Sequence, residues 1–170
     1  FITNRDVSMC FLPLNHILEK AWSYLCLSMG CQVAVLSDPK RILEALPMVR
    51  PSMMGNVPRF WEKVYIGVQD KINRSPKPLR YVLRHAIQVG DRYFFDFVNE
   101  GKKAPLYLKV LYKLYDKTLF AKVKKAIGIQ RGRFFPTAGA SVSPEILRFL
   151  RSINVPMCVG YGLSETTATV

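Results

Sequence analysis

Short apolar runs closed by proline, glycine or asparagine alternate with stretches of three- and four-residue apolar spacing, and this alternation predicts strand followed by helix. Cys10 to Leu14 is the first run, ended by Pro13 and Asn15, and the spacing from Ile17 to Met29 is helical until Gly30 stops it. Gln32 to Leu36 predicts the next strand. Ser37-Asp38-Pro39 then offers a cap with proline in the first turn, and a helix runs through Val49. Pro51 and Ser52 introduce a third apolar run, Met53 to Val57, and Pro58 opens a helix to about Ile72.

The middle of the chain loses the strand signal. Leu79 to Asn99 and Pro105 to Ile127 are helical in period, with aromatic and aliphatic residues at three- and four-residue intervals and lysines between them, so residues 71–131 predict a helical insertion. Strand and helix resume with Arg133 to Pro136, a helix from Ser143-Pro144-Glu145 to about Ile153, and a last strand, Pro156 to Val159. Repeated strand-helix order predicts an α/β fold with a mostly parallel sheet covered on both faces. In such sheets ligands sit beyond the carboxyl ends of the strands.

Composition adds a core and a charge asymmetry. The chain has 170 residues, 49% of them hydrophobic, and a mean hydropathy of +0.08, which fits one globular domain and excludes disordered and membrane-spanning classes. Residues 71–133 hold 16 Lys and Arg against 4 Asp and Glu, while the rest of the chain holds 9 against 8. Nearly all of the net +13 therefore lies on the helical insertion. Its lysines and interleaved Tyr93, Phe94, Phe95, Phe97, Tyr107, Tyr112 and Tyr115 fit a solvated amphipathic face, an anionic membrane surface or a nucleic acid. Nucleic acid is disfavoured, because no reading motif accompanies the charge. Cys10, Cys26, Cys31 and Cys158 have no close paired spacing and only His16 and His85 to assist them, so reduced cysteines are expected in place of a zinc site or a disulfide framework. The chain opens at Phe1 without a leader or an apolar run of membrane length, and a cytoplasmic protein, with peripheral membrane contact at most, is the expected setting.

Two small-residue turns carry the chemistry. Thr137-Ala138-Gly139-Ala140-Ser141 is followed about twenty residues later by Gly160-Tyr161-Gly162-Leu163-Ser164-Glu165-Thr166-Thr167, and each begins just past a predicted strand. Glycine lets a backbone approach a ligand closely, the hydroxyls of Ser164, Thr166 and Thr167 can donate to phosphate oxygens, and Glu165 offers hard oxygen to magnesium. That set of groups suits ATP.

Arg133 to Glu145 followed by Val155 to Thr167 resembles the paired small-residue turn and the Tyr-Gly-x-Thr/Ser-Glu signature of the adenylate-forming (AMP-binding) superfamily. Phe11 to Lys20, reading FLPLNHILEK, resembles the LPL-x-H-x-x-E-R/K segment of its long-chain fatty acid CoA ligases, and Val57 to Val64, reading VPRFWEKV, resembles their VPR-x-x-E-K helix start. The resemblance implies a ligase that joins a fatty carboxylate to the α-phosphate of ATP and then passes the acyl group from acyl-AMP to CoA. It implies Glu165 as the Mg2+ ligand, Ser164 at the AMP phosphate, where the family more often has Thr, and Tyr161 against the adenine. Gly139 and Ala140 would wall the other side of the ring, with Ser141, Gly162 and Thr166 completing the nucleotide contacts. His16 falls where the family borders the carboxylate end of the acyl pocket. Ala138 departs from the family's usual glycine at that position.

The resemblance also implies a glycine- and serine-rich phosphate loop before Phe1, and a ribose-binding aspartate and a lid domain after Val170. The 170 residues alone are accordingly expected neither to adenylate a fatty acid nor to bind ATP tightly. Two alternatives stay open: a membrane-surface or nucleic-acid binding module without catalysis, and an adenylating enzyme whose acceptor is a carrier-protein thiol. Trp61, Met48, Met53 and Met54 are expected in the core.

Overall fold

The computed structural model describes residues 2–162. Its described chain divides into two compact units, one made of residues 2–60, 125–142 and 156–162, the other of 61–124 and 143–155.

The first unit is built on parallel strands. β1 (Val7–Cys10) pairs with β2 (Gln32–Val35), with Val7 opposite Gln32 and Cys10 opposite Val35, and β3 (Phe135–Thr137) pairs with β4 (Met157–Val159). The stretch Met53 to Asn56 joins the two pairs by single parallel bridges, from Ser8 to Met53, Met53 to Phe134 and Asn56 to Thr137. The resulting order is β2, β1, the 53–56 stretch, β3, β4, with every pairing parallel. This is a doubly wound order whose direction of winding reverses between β1 and the 53–56 stretch.

Proline and side-chain caps place the helices as the sequence predicts. Helix α1 (Ile17–Ser28) leads into β2, and Gly30 at φ 69 turns the chain between them. After β2 the Asp38 carboxylate accepts the Lys40 amide at 3.0 Å over a short 3-10 turn, Pro39–Arg41, which runs into α2 (Ile42–Val49). Pro58 opens α3 (Pro58–Arg74).

Two strands are displaced from their predicted places. β1 starts at Val7, three residues before the predicted run, because Asp6 and Ser8 are polar yet buried, and polarity there hid the strand. The Ser8 hydroxyl accepts the Trp22 indole N–H at 2.9 Å, and the Asp6 carboxylate accepts Ser52 Oγ at 2.7 Å and Arg133 Nη2 at 2.8 Å. Pro13, which has no N–H for a ladder, instead offers its carbonyl to the His16 amide at 3.0 Å. β3 starts at Phe135, two residues later than predicted, since the Arg133 and Phe134 amides both turn to the Ser52 carbonyl. Trp61, Met53 and Met54 are buried as expected, but Met48 is 83% exposed on the last turn of α2, where the inward face is taken by Ile42 and Leu46.

The second unit is helical. α4 (Lys77–Arg92) continues into a π-helical stretch, Tyr93–Val98; α5 (Leu106–Tyr115) continues into a second, Asp116–Phe120, and then α6 (Ala121–Ile127); α7 (Pro144–Ser152) packs on α4. Rings hold it together. Tyr93 stacks on Tyr112 at 4.2 Å and Tyr65 meets Phe149 edge-on at 5.1 Å. Arg148 makes a bidentate pair with Asp91 at 2.5 and 2.8 Å while lying 4.8 Å over the Phe95 ring.

Candidate functional site at the carboxyl edge of the strands

Four loops leave the same edge of the parallel strands. Leu12 to His16 follow β1, Val57 and Pro58 follow the 53–56 stretch, Ala138 to Ser141 follow β3, and Gly160 to Gly162 follow β4. Backbone hydrogen bonds lock three of them side by side: the Ala138 amide donates to the Asn56 carbonyl at 3.1 Å and the Gly160 amide to the Thr137 carbonyl at 2.9 Å. Gly139 and Gly160 thus open neighbouring turns. The structure brings the described part of the predicted nucleotide site together.

Gly139 has φ 93, outside the range open to other residues at ordinary cost, so only glycine makes this turn without a penalty of roughly 1–2 kcal/mol. A Cβ there would touch only Val57 Cγ1 at 3.9 Å, so the position has space beside it. Ala140 and Ser141 are exposed, and Tyr161 presents 69% of its surface. An exposed aromatic ring beside a glycine turn is a stacking platform for a planar ligand. These groups fit a nucleotide. His16 is the exposed residue before α1, where its carbonyl accepts the Lys20 amide at 3.2 Å and its ring makes no capping bond. Ser164, Glu165, Thr166 and Thr167 lie outside the described residues.

Two further groups lie near this edge: Asn56, which the sequence does not single out, and Glu19, the glutamate of the FLPLNHILEK segment. Asn56 is fully buried, with Nδ2 donating to the Met54 carbonyl at 2.8 Å and Oδ1 accepting nothing. An acceptor left this way costs about 1–3 kcal/mol until a donor reaches it. Only its place just before Val57-Pro58 could have pointed to it. Glu19, in the third position of α1, is also fully buried, and neither oxygen has a hydrogen-bond partner. Burial pushes its carboxyl up. The Cys10 thiol and the Leu12 amide oppose that rise without reaching hydrogen-bonding geometry. Burial likewise pushes the Cys10 thiol up to about 12, with Glu19 adding to the rise and the Ser23 hydroxyl, 2.7 Å away, working against it. Cys10, Cys26 and Cys31 are free and buried, and Cys158 is free and exposed.

The opposite edge of the strands carries a different feature. A cavity of about 470 Å³ opens there, lined by Thr3, Arg5, Asp6, Ser52, Arg131 and Arg133. Among the described residues no group of three His, Cys, Asp or Glu gathers to hold a metal ion, and no helix is long and apolar enough to cross a membrane.

Residues 1–170 match the AMP-binding enzyme family from end to end. The chain belongs to that family. It is 29% identical over 169 residues to the peroxisomal long chain acyl-CoA synthetase 6 of Arabidopsis thaliana, covering 98% of this chain and 22% of that protein. It is 30% identical over 174 residues to long-chain-fatty-acid--CoA ligase 1 of Schizosaccharomyces pombe, covering 98% and 24%. This AMP-binding chain therefore spans about a quarter of the length of the curated relatives it matches. Among solved structures, the adenylation domain of a carboxylate reductase from Mycobacterium chelonae superposes with a TM-score of 0.65 at 20% identity, over 94% of this chain and 20% of that one. The N-terminal domain of FACL13 from Mycobacterium tuberculosis gives 0.55 at 14% identity, over 98% and 29%. At these identities the likeness concerns the fold, which is the α/β architecture expected from the strand-helix order.

Proposed function

We propose that this chain is part of a single AMP-binding domain of a long-chain fatty acid CoA ligase, and that residues 71–131 form a basic helical insertion within it. The parent enzyme would adenylate a fatty acid with ATP and hand the acyl group to CoA. The observation that carries this reading is the meeting of three loops, Val57-Pro58, Ala138 to Ser141 and Gly160 to Gly162, at the carboxyl edge of one set of parallel strands. The names of the relatives support the acyl substrate and the thiol acceptor.

In this reading Tyr161 stacks on the adenine and Gly139 and Ala140 line the other side of the ring, with Ser141 and Gly162 completing the cradle. Ser164 and Thr166 would contact phosphate, and Glu165 would hold magnesium. Magnesium supplies charge neutralisation where a carboxylate approaches a phosphate. The protein's own share is to hold two anionic reactants at close range in a fixed orientation. His16, exposed beyond β1 beside the reversal in strand order, would orient the incoming carboxylate. A long-chain acid partitions into lipid, and the basic residues 71–131 would suit an anionic bilayer as its source.

The test is carboxylate-dependent exchange of labelled pyrophosphate into ATP by the intact parent protein, with acids of rising length. Exchange with long acids is expected, falling at least a hundredfold in Glu165→Ala and more modestly in His16→Ala, as loss of a positioned charge-stabilising group does elsewhere. No exchange with any carboxylate by a folded parent would reject the reading.

A further inference from the structure

Helix α5 is apolar on two sides. Leu108 and Tyr112 face the interior of the helical unit and are buried, whereas Leu106, Tyr107, Val110 and Leu114 are 77%, 68%, 58% and 55% exposed. At 3.6 residues per turn these four fall within an arc of about 100°. Lys109 and Lys113 border that arc on one side, Lys102 and Lys103 precede it, and Lys117 follows it. The neighbouring acids are engaged: Glu100 lies 3.8 Å from Lys102, and Asp116 pairs with Lys124 at 2.8 Å and accepts Asn154 Nδ2 at 2.9 Å. Lys103, Lys109, Lys113 and Lys117 have no carboxylate partner among the described residues.

A helix covering a soluble core needs one apolar stripe, with polar residues opposite. Here the side opposite Leu108 and Tyr112 carries leucine, valine and tyrosine edged by unpaired lysines. That pattern is the one that lies in the plane of an anionic bilayer, with the apolar arc at the acyl boundary and the ammonium groups among the headgroups. Duplex nucleic acid would use the lysines and leave Leu106, Val110 and Leu114 in water. A protein partner has no such general need of lysine along the edge of the arc.

We propose that the outward face of α5 docks on anionic lipid, with Leu106, Tyr107, Val110 and Leu114 inserted and Lys109 and Lys113 on the headgroups. This deepens the reading of the parent as a fatty acid ligase by giving its substrate a surface to come from, but the docking itself is independent of catalysis. Sedimentation of the intact parent with phosphatidylcholine vesicles, with and without phosphatidylglycerol, tests it. Binding is expected only with phosphatidylglycerol and to weaken as salt rises. The double change Lys109→Gln and Lys113→Gln should cost about fivefold per lysine. Val110→Gln with Leu114→Gln should reduce binding at least tenfold, and Leu27→Ser, an exposed apolar change on α1, should leave it intact.

Failure of the wild-type parent to bind anionic vesicles would overturn the proposal, as would binding that both α5 pairs leave unchanged. A monomer produced by the apolar pair from a wild-type dimer would assign the face to a second copy, and equal retention on duplex DNA would assign it to nucleic acid; either result rejects the lipid. Should the apolar pair unfold the parent, the lysine pair decides: binding to phosphatidylglycerol vesicles that it leaves unchanged rejects the proposal. Pyrophosphate exchange with a short soluble acid should be the same in every variant. If exchange is absent with every carboxylate, long acids included, while vesicle binding persists, the ligase reading fails and the docking stands.

Discussion

In the sheet unit the buried side chains include Asp6, Ser8, Glu19, Ser23, Ser52, Asn56 and Thr137, whereas the helical unit buries Ser152 alone among such polar residues. The sheet unit ties some of these groups across distant parts of the chain, as Asp6 does with Ser52 and Arg133 and Ser8 with Trp22. Among the described residues, the helical unit buries no charged side chain and packs Trp61, Tyr112, Phe120 and Phe149 inside. The difference teaches where precision is needed: buried polar networks fix backbone to a single register, while a ring-packed bundle tolerates change on its surface. The candidate nucleotide loops sit on the unit with the fixed register, and the candidate lipid face sits on the other.

The largest effects should come from glycines that admit a neighbouring backbone, one in each unit. A Cβ at Gly128, which has φ 95, would stand 2.5 Å from the Leu46 carbonyl oxygen, and one at Gly90 would stand 2.1 Å from the Ser152 carbonyl oxygen. Gly128→Ala adds backbone strain to overlap and should cost about 3 kcal/mol or more, and Gly90→Ala about 1–3 kcal/mol. Hydrogen exchange on the intact parent reads both. Protection should fall first around α2 and β3 for Gly128→Ala, and around α4 and α7 for Gly90→Ala; uniform loss in both would mean that the two units do not differ in this way.

Next come the carboxyls, where the sheet unit should show opposite pH dependences at two positions. Burial raises the Asp6 pKa, but hydrogen bonds from Ser52 and Thr3 and the Arg133 charge outweigh it and leave it below its ordinary 3.8. The stability Asp6 contributes is thus present above pH 3.8 and lost as pH falls through the lowered value. Asp6→Asn should cost about 2–3 kcal/mol at neutral pH, through partners left unpaired, and less in acid. Glu19 has the opposite sign. Its raised pKa means that stability is greatest below 4.5 and is lost as pH rises from there to the folded value. Glu19→Gln should therefore stabilise by about 1 kcal/mol at neutral pH, since a neutral unpaired amide costs less than a buried carboxylate, and the gain should vanish in acid. Urea midpoints across pH check both.

The sequence made the helical elements legible because proline marks their starts at Pro39, Pro58 and Pro144 and the three- and four-residue spacing survives throughout. It made the turns at Gly139 and Gly160 legible because small residues follow strands there. It hid β1, since a buried Asp6 and Ser8 look like surface positions until Ser52, Arg133 and Trp22 are seen to satisfy them. It hid Asn56 for a related reason: a lone asparagine carries no spacing, and its significance comes from an amide and a carbonyl that pair with Pro136 of β3 and with Ala138 just after it, far along the chain. Residues 71–131 were legible as basic and helical, but which apolar residues of α5 face outward depends on which side packs against its neighbours.

The central claim is that the carboxyl edge of the sheet unit is a nucleotide site, and calorimetric titration of ATP into the intact parent tests it most directly. Base stacking on an aromatic ring is worth about 1–3 kcal/mol. Tyr161→Ala should therefore weaken ATP binding by about tenfold or more, with Gly139→Ala weakening it as well and Val110→Gln leaving it unchanged. Equal ATP affinity in the wild type, Tyr161→Ala and Gly139→Ala, with all three folded, would contradict the account.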